Sequence, residues 1–326
     1  MALRMIEAAQ FAARDFERAI DNSACSPEEG RANLTLVAVE QLVDRLKRID
    51  SEIGSDTELG RELRVAFRSE LQKLCAMGPL WNRGLTKPRG YPGDFETLHS
   101  LYRNLPIAAD PIGRELDRAF LESPLARTVR GRKKLLVTYL RQVVSDCAKD
   151  PCRLLDLACG PSVDVAEVLC GSERDGSIHF VCVDQDADAI AYAQSLLGNT
   201  KNKCVVDFLK ANVLRVRPCA DTLLREPFHV VYSVGLLDYV PDNLSSIALR
   251  NWWRMLAPGG RLVLTMKDRD RYDPTFYDWL ADWTFIPRTK RNFLRLLKES
   301  LGLSECEIEL LREETGVSVM AIMHKQ

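Results

Sequence analysis

Two aspartates, Asp156 and Asp184, each close a short apolar run, and their type and spacing are what chemistry at this chain would need. Asp156 opens the turn Asp156-Leu157-Ala158-Cys159-Gly160-Pro161-Ser162. The small residues Ala158, Gly160 and Ser162 let a backbone come close to a ligand, and the carboxylate supplies a fixed acceptor. Asp184 ends HFVCVD, and an acidic residue at the end of a second strand can accept both hydroxyls of a ribose. The turn is not G-x-G-x-x-G, and Pro161 removes an amide that a pyrophosphate cradle would use. No G-x-x-x-x-G-K-[ST] occurs either. The ligand implied is a nucleoside without phosphates. The competing use of Asp at these places is capping the helix that follows.

Such a pair works only if the elements around it place both residues at one edge of a sheet. From Cys152 onward the chain alternates apolar strands (CRLLDLACG, which ends in a glycine-containing turn, HFVCVDQD, KCVVDFLKANV, FHVVYSVGLL, GRLVLTMKD) with stretches of helical length. Continuous apolar strands separated by helices predict a parallel sheet covered on both faces. The tail ECEIELLREETGVSVMAIMHK reads as two further strands around a turn at Glu314–Gly316. The fold class expected is therefore α/β, a Rossmann-like, mostly parallel seven-stranded sheet with a C-terminal antiparallel hairpin. Ahead of it lies an N-terminal α-helical domain, with the division at 1–148 and 149–326. Its helical stripes are Val39, Leu42, Val43, Leu46 and Ile49, then Leu63, Phe67, Leu71 and Leu74. A last helix over 128–147 carries Leu135, Leu136, Tyr139, Leu140, Val143 and Val144 on its buried side. Between these, residues 78–98 read as irregular, with Pro88, Gly90, Pro92 and Gly93 setting turns. Gly259-Gly260 reads as a turn before the fifth strand.

DLACGPS, VCVDQD, KANV, YSVGLLDYVPD and LAPGGRLVLT stand in the order and spacing of class I S-adenosylmethionine-dependent methyltransferases, which residues 150–326 resemble. The resemblance implies S-adenosyl-L-methionine as cofactor. It places Asp156, Ala158 and Gly160 by its methionine half, Asp184 and Gln185 at the ribose, and Asn212 and Val213 at the adenine. Ser233 and Gly235 would lie along the methionine. A methyl acceptor would meet Asp238 and Tyr239 just beyond the fourth strand. A carboxylate acceptor is already ionised, whereas a phenol, alcohol or ammonium needs a base. No N-P-P-Y or D-P-P-Y motif stands there.

Lys87–Asp94 displays Arg89, Tyr91 and Asp94 on a turn, with Arg89 suited to a carboxylate; the alternative is a structured interdomain loop. Arg271, Tyr272 and Arg288, beyond the fifth strand, offer an aromatic wall and cations for an anion, or plain helix packing. R-G-Y-P-G-D followed by G-L-L-D-Y and a D-W…R-T segment is similar to the bacterial methyltransferases that make 3-hydroxypalmitic acid methyl ester, a quorum signal. That narrower resemblance implies a helical substrate or lid domain closing over the cofactor and an acceptor carboxyl. The candidate catalytic residues are Tyr91, Asp238 and Tyr239, and the candidate acceptor-binding residues Arg89, Asp94, Arg271, Tyr272 and Arg288. Carboxyl O-methylation of a hydroxy fatty or organic acid leads. An amine N-methyltransferase and a cofactor-binding regulatory protein stand as alternatives.

Composition narrows the partners. Forty-five Lys+Arg against 46 Asp+Glu give a net charge of −1, which offers no field for a polyanion, so nucleic acid is not expected. The one basic run, Arg127 to Lys134, reads as a solvated helix face. The charged N-terminus and the absence of 18 consecutive apolar residues predict no membrane span. Ten cysteines without a C-x-x-C pair read as reduced thiols in a cytoplasmic protein, with no metal site. Cys152, Cys159, Cys170 and Cys182 read as small hydrophobes, and His229, at the start of its strand, as structural. A small-molecule acceptor is the expected partner, with a homodimer as the candidate assembly.

Overall fold

Apolar stripes at helical spacing shape the first part of the chain. The computed structural model describes residues 2–54, 57–147, 151–170, 178–198 and 204–326. Its helices begin with α1 (Ala2–Ala24), α2 (Glu28–Ile53), α3 (Glu58–Glu70), α4 (Gln72–Met77), α5 (Pro79–Thr86), α6 (Phe95–Arg103), α7 (Pro111–Glu122) and α8 (Pro124–Asp146). Starts are marked by side-chain caps: Thr57 accepts from Gly60 N, Asp94 from Thr97 N, and Asp110 from Gly113 N. Val39, Leu42, Leu46, Leu63, Phe67 and Leu71 are all buried, as the stripes require. The buried carboxylate of Asp117 accepts from the amides of Leu80, in the first turn of α5, and of Ile107 and Ala108, so three N–H groups are satisfied inside the bundle.

Residues 79–86, expected as irregular, are helical. Pro79 stands at the start of α5, where a missing N–H costs nothing, and Leu80, Trp81 and Gly84 form its buried side. The irregular stretch shrinks to Lys87–Asp94, with Lys87 at φ 45° and Gly90 at φ 84°.

The second part runs β1 (Cys152–Leu157), α9 (Val163–Cys170), β2 (Ile178–Asp184), α10 (Ala187–Leu197), β3 (Val205–Lys210), β4 (Phe228–Ser233), α11 (Asp242–Arg254) and β5 (Leu256–Lys267). It closes with α12 (Thr275–Leu280), α13 (Lys290–Leu301), β6 (Ile308–Arg312) and β7 (Ser318–His324). The strands form one sheet in the order β3-β2-β1-β4-β5-β7-β6. β1 through β5 pair in parallel, while β7 pairs antiparallel with both β5 and β6. Period-two alternation splits the sheet's side chains between two cores. Leu154, Phe180 and Val230 pack with Leu136, Leu140 and Val144 of α8 and with α9. Leu155, Val181 and Val231 pack with Trp252 of α11 and Phe293 and Leu297 of α13. β5 reaches back to Leu256, so Gly259 and Gly260 lie within the strand and not before it. Cys170 is exposed, against expectation, whereas Cys152, Cys159 and Cys182 are buried.

The chain divides into two compact units, one of residues up to Arg127 with Asp273–Thr284, the other of Thr128–Tyr272 with Phe285–Gln326. The expected division at 148/149 lies outside the described residues, and α8 packs on the sheet, so most of that helix belongs to the second unit. The excursion Asp273–Thr284 is built into the helical unit by aromatic side chains. Trp279 meets Phe67 edge-on at 5.3 Å and donates from Nε1 to Asp50. Trp81 packs on Phe276 at 5.6 Å and donates to the Leu280 carbonyl.

Candidate active site

Strand order reverses between β1 and β4, and in an open parallel sheet the crevice at that reversal is where ligands bind. The turn after β1 stands there. Ala158 (φ 63°), Gly160 (φ 52°) and Ser162 (φ 49°) are all left-handed, a sparsely populated conformation for residues other than glycine and one that marks functional turns. The turn is tied to β2: Ala158 N and Cys159 N donate to the Val183 carbonyl, and Gly160 N donates to Asp184 Oδ2 at 2.9 Å. Asp184 Oδ1 accepts from Asp186 N, also at 2.9 Å. Each oxygen keeps a second lone pair, so Asp184 both braces the turn and retains acceptors for a hydroxyl. Burial raises its pKa above the usual carboxylate range.

Beneath the turn, Asp156 is fully surrounded. Its Oδ2 has no hydrogen-bond partner among the described residues. Burial and the neighbouring Asp164 push its pKa well up. Burial also lifts Asp164 to about 6, with Tyr232 Oη donating to it at 3.1 Å. A buried carboxylate oxygen without a donor fits an ammonium or hydroxyl brought by a ligand. The residues of this crevice thus match an adenosyl amino acid: Asp184 toward a ribose, Asp156 toward an amino group.

A second constellation lies beyond β4 and β5. Asp238 Oδ1 accepts from Lys267 N at 2.9 Å, and Oδ2 from Lys267 Nζ at 2.5 Å. Lys267 Nζ sits 3.6 Å from the centroid of the Phe285 ring. Tyr239 and Tyr272 pack on the same ring at 5.3 and 5.7 Å. Burial is the largest effect on Lys267 and lowers its pKa to about 8, with Asp238 opposing and Arg132 reinforcing the shift. Arg132, from the run expected to be solvated, is 5% exposed, with Nη1 3.7 Å from Asp238 Oδ2. Its guanidinium lies against Gly235: a Cβ there would stand 2.7 Å from Nη2. Gly235 also has φ 87°, so both space and backbone demand glycine. Arg132, Lys267 and Phe285 are the residues sequence reasoning missed. A single arginine in a basic run carries no signal of which way the helix turns it.

Several expected site residues are engaged structurally. Asp238 is 2% exposed and held by Lys267, so it is not placed to take a proton from an acceptor. Arg288 is buried, donating to the Leu237 and Val240 carbonyls and pairing with Asp242 at 2.7 Å, which removes it from anion binding. Ser233 Oγ donates to the Leu157 carbonyl and locks β4 to β1. Asn212 Oδ1 caps a short 3-10 turn by accepting from Leu214 N. Val213 is buried, and its carbonyl accepts from Trp252 Nε1. Gln185 and Arg271 are exposed, Tyr239 is 41% exposed, and Tyr272 is half-buried. His229 Nδ1 accepts from Arg153 N at the far end of the strands, as a structural histidine would.

In the helical unit, Asp94 is 1% exposed. It caps α6 and binds Arg83 at 2.8 Å, so it holds the fold and not a ligand. Arg89 pairs with Glu96 at 3.2 Å over the Phe95 ring, and Tyr91 is 40% exposed. Among the described residues no helix is long and apolar enough to cross a membrane.

Comparison with known proteins points the same way. The model of a family described as "Putative methyltransferase" matches residues 62–270. Trans-aconitate 2-methyltransferase of Streptomyces avermitilis is 28% identical over 120 residues, which is 37% of this chain and 40% of that enzyme. The chain therefore matches less than half the length of that curated relative. A structure described as a possible exported protein from Bordetella parapertussis aligns with a TM-score of 0.58 at 18% identity, over 92% of this chain and 99% of that one. The citrinin polyketide synthase CMeT domain aligns with a TM-score of 0.51 at 14% identity, over 86% of this chain and 69% of that one. These two likenesses are of fold.

Proposed function

We infer the reaction from one premise: the chain belongs to the methyltransferase family whose model covers residues 62–270. It is an S-adenosylmethionine-dependent methyltransferase. When bound, the cofactor supplies an electrophilic methyl group on a sulfonium. Asp156 and the turn through Gly160 hold its amino-acid half, Asp184 and Gln185 its ribose, and Asn212 and Val213 border its adenine. Their task is positioning, since methyl transfer is an in-line displacement whose barrier falls when the two reacting atoms are held in line and water is excluded.

The acceptor is a carboxylate of a small organic acid. The observation that carries this is Asp238: both its oxygens accept from Lys267, so the carboxylate expected beside the acceptor is occupied and does not serve as its base. An acceptor that is already ionised at neutral pH needs none. The name of the Streptomyces relative, trans-aconitate 2-methyltransferase, agrees with an acid. The resemblance of R-G-Y-P-G-D and G-L-L-D-Y to the 3-hydroxypalmitate methyltransferases supports a hydroxy fatty acid as the finer reading. Tyr239 and Tyr272, stacked on Phe285, supply the apolar wall.

The test is calorimetry with S-adenosylhomocysteine, then mass spectrometry of products from methyl donor and a panel of acids and amines. Methyl esters are expected. Methylated amines without esters overturn the carboxyl reading, and failure to bind S-adenosylhomocysteine overturns the cofactor.

A further inference from the structure

Arg132 and Lys267 are two buried cations that share one carboxylate. Lys267 occupies both oxygens of Asp238. The Arg132 guanidinium stands 3.7 Å away, beyond hydrogen-bond distance, and its Nε has no partner among the described residues. Two further acids of the same unit are committed elsewhere. Asp242 pairs with Arg288. Glu313, which abuts Gly131, accepts from Thr315 N, Thr315 Oγ1 and Ser318 N. The cluster therefore carries one uncompensated positive charge in a place where a charge is costly unless paired. Burial depresses Lys267, the response of a cation with too little anion around it.

We propose that Arg132 and Lys267 form a binding subsite for a non-reacting carboxylate of a di- or tricarboxylic acceptor. The proposal rests on the methyltransferase reading above and narrows its acceptor. The geometry places the subsite on the acceptor side. Lys267 ends β5, one strand beyond the β1–β4 crevice that holds Asp156 and the glycine turn, while Asp238, which it binds, follows β4. A planar guanidinium matches a carboxylate with two parallel hydrogen bonds. The carboxylate held there is not the one methylated, because two cations withdraw the electron density an attacking oxygen needs. The acceptor must then carry at least two carboxylates, so this subsite favours a di- or tricarboxylic acid over the monocarboxylic hydroxy fatty acid. Arg132 and Lys267 keep 6% and 5% of their side-chain surface open, while Phe285 and Tyr239 flank the lysine with an apolar face.

The experiment titrates the wild-type chain, Arg132→Gln and Arg132→Lys by calorimetry with three probes: S-adenosylhomocysteine, 5′-methylthioadenosine, which lacks the amino-acid carboxylate, and trans-aconitate added to protein saturated with S-adenosylhomocysteine. Thermal unfolding reports whether each variant is folded, and Arg132→Lys keeps the charge if the glutamine variant is not. Expected for Arg132→Gln is an affinity for trans-aconitate about 10- to 100-fold weaker, both nucleosides binding as in wild type and Arg132→Lys falling between. Loss of S-adenosylhomocysteine with 5′-methylthioadenosine unchanged makes the cofactor's own carboxylate the ligand and overturns the acceptor assignment. No binding of trans-aconitate to wild type, or equal binding to all three proteins, overturns the subsite. Wild type that binds neither nucleoside refutes the methyltransferase reading instead.

Discussion

Lys267→Met gives the sharpest physical test of the buried cluster. Lys267 is surrounded by Asp238, Arg132 and the Phe285 ring, and its pKa falls from 10.5 to about 8. At about 1.4 kcal/mol per pH unit, the shift corresponds to about 3 kcal/mol between the charged and neutral forms. The sign follows from proton counting. Between pH 8 and 10.5 the unfolded chain binds the proton and the folded chain does not, so wild-type stability rises through that window. Below pH 8 the lysine is charged in both states and the folded state carries the whole penalty. Methionine has no proton to count. The stability of Lys267→Met relative to wild type should therefore fall by about 3 kcal/mol as pH goes from 7.5 to 10.5. Urea unfolding of both proteins across that range reads it, and other titrating groups cancel in the difference. A difference that stays flat means Lys267 keeps an ordinary pKa, and the accounting of two cations against one carboxylate is wrong.

Further outcomes follow from the same geometry. Asp184→Ala should weaken S-adenosylhomocysteine by about 1–3 kcal/mol in calorimetry, the loss of hydrogen bonds to a charged group; unchanged affinity takes Asp184 out of the site. Arg83→Ala strands the buried Asp94 carboxylate and should destabilise the helical unit by about 3–5 kcal/mol in thermal or urea unfolding. Arg89→Ala breaks a half-exposed pair with Glu96 and its contact with the Phe95 ring and should cost about 1–2 kcal/mol. Arg89→Ala and Tyr91→Phe should lower turnover more than cofactor affinity if that loop recognises the acceptor. Trp279→Ala should cost about 3–5 kcal/mol of stability, because it opens a cavity beside Phe67 and frees Asp50.

The sheet is readable from residue types because β1, β2 and β4 are largely apolar and lead into small or acidic residues. Asp156, Gly160 and Asp184 could be placed for the same reason: chain order alone puts them at one edge. Lys87–Asp94 was read as a display of Arg89, Tyr91 and Asp94, yet Asp94 turned inward as a cap. Capping and ligand binding use the same carboxylate, and the choice depends on Arg83, which sequence does not bring near it. Arg132 was misread because a 23-residue helix carrying charges on several sides gives no phase for a single arginine. The residues it lies against, Gly235 and Asp238, are about a hundred residues away. Arg288 looked like an anion ligand until the carbonyls of Leu237 and Val240 accounted for it. Long-range partners, and not local propensity, settled each of these.

The excursion Asp273–Thr284 has a consequence for the order in which the molecule can be made. A ribosome delivers α1 through α7 first, but Trp279, Tyr277 and Phe276 follow about 150 residues later. Until they emerge, the nascent helical unit exposes Phe67, Trp81 and Phe120 where those aromatics belong. Asp50 lacks the indole that donates to it. The amino-terminal part therefore cannot finish folding during synthesis as an independent unit. It waits for the central strands of the sheet to be translated, with sticky surface uncovered in the interval. Cutting the chain between the helices and the sheet would leave a fragment without its last core residues, so the two halves share one fate in the cell.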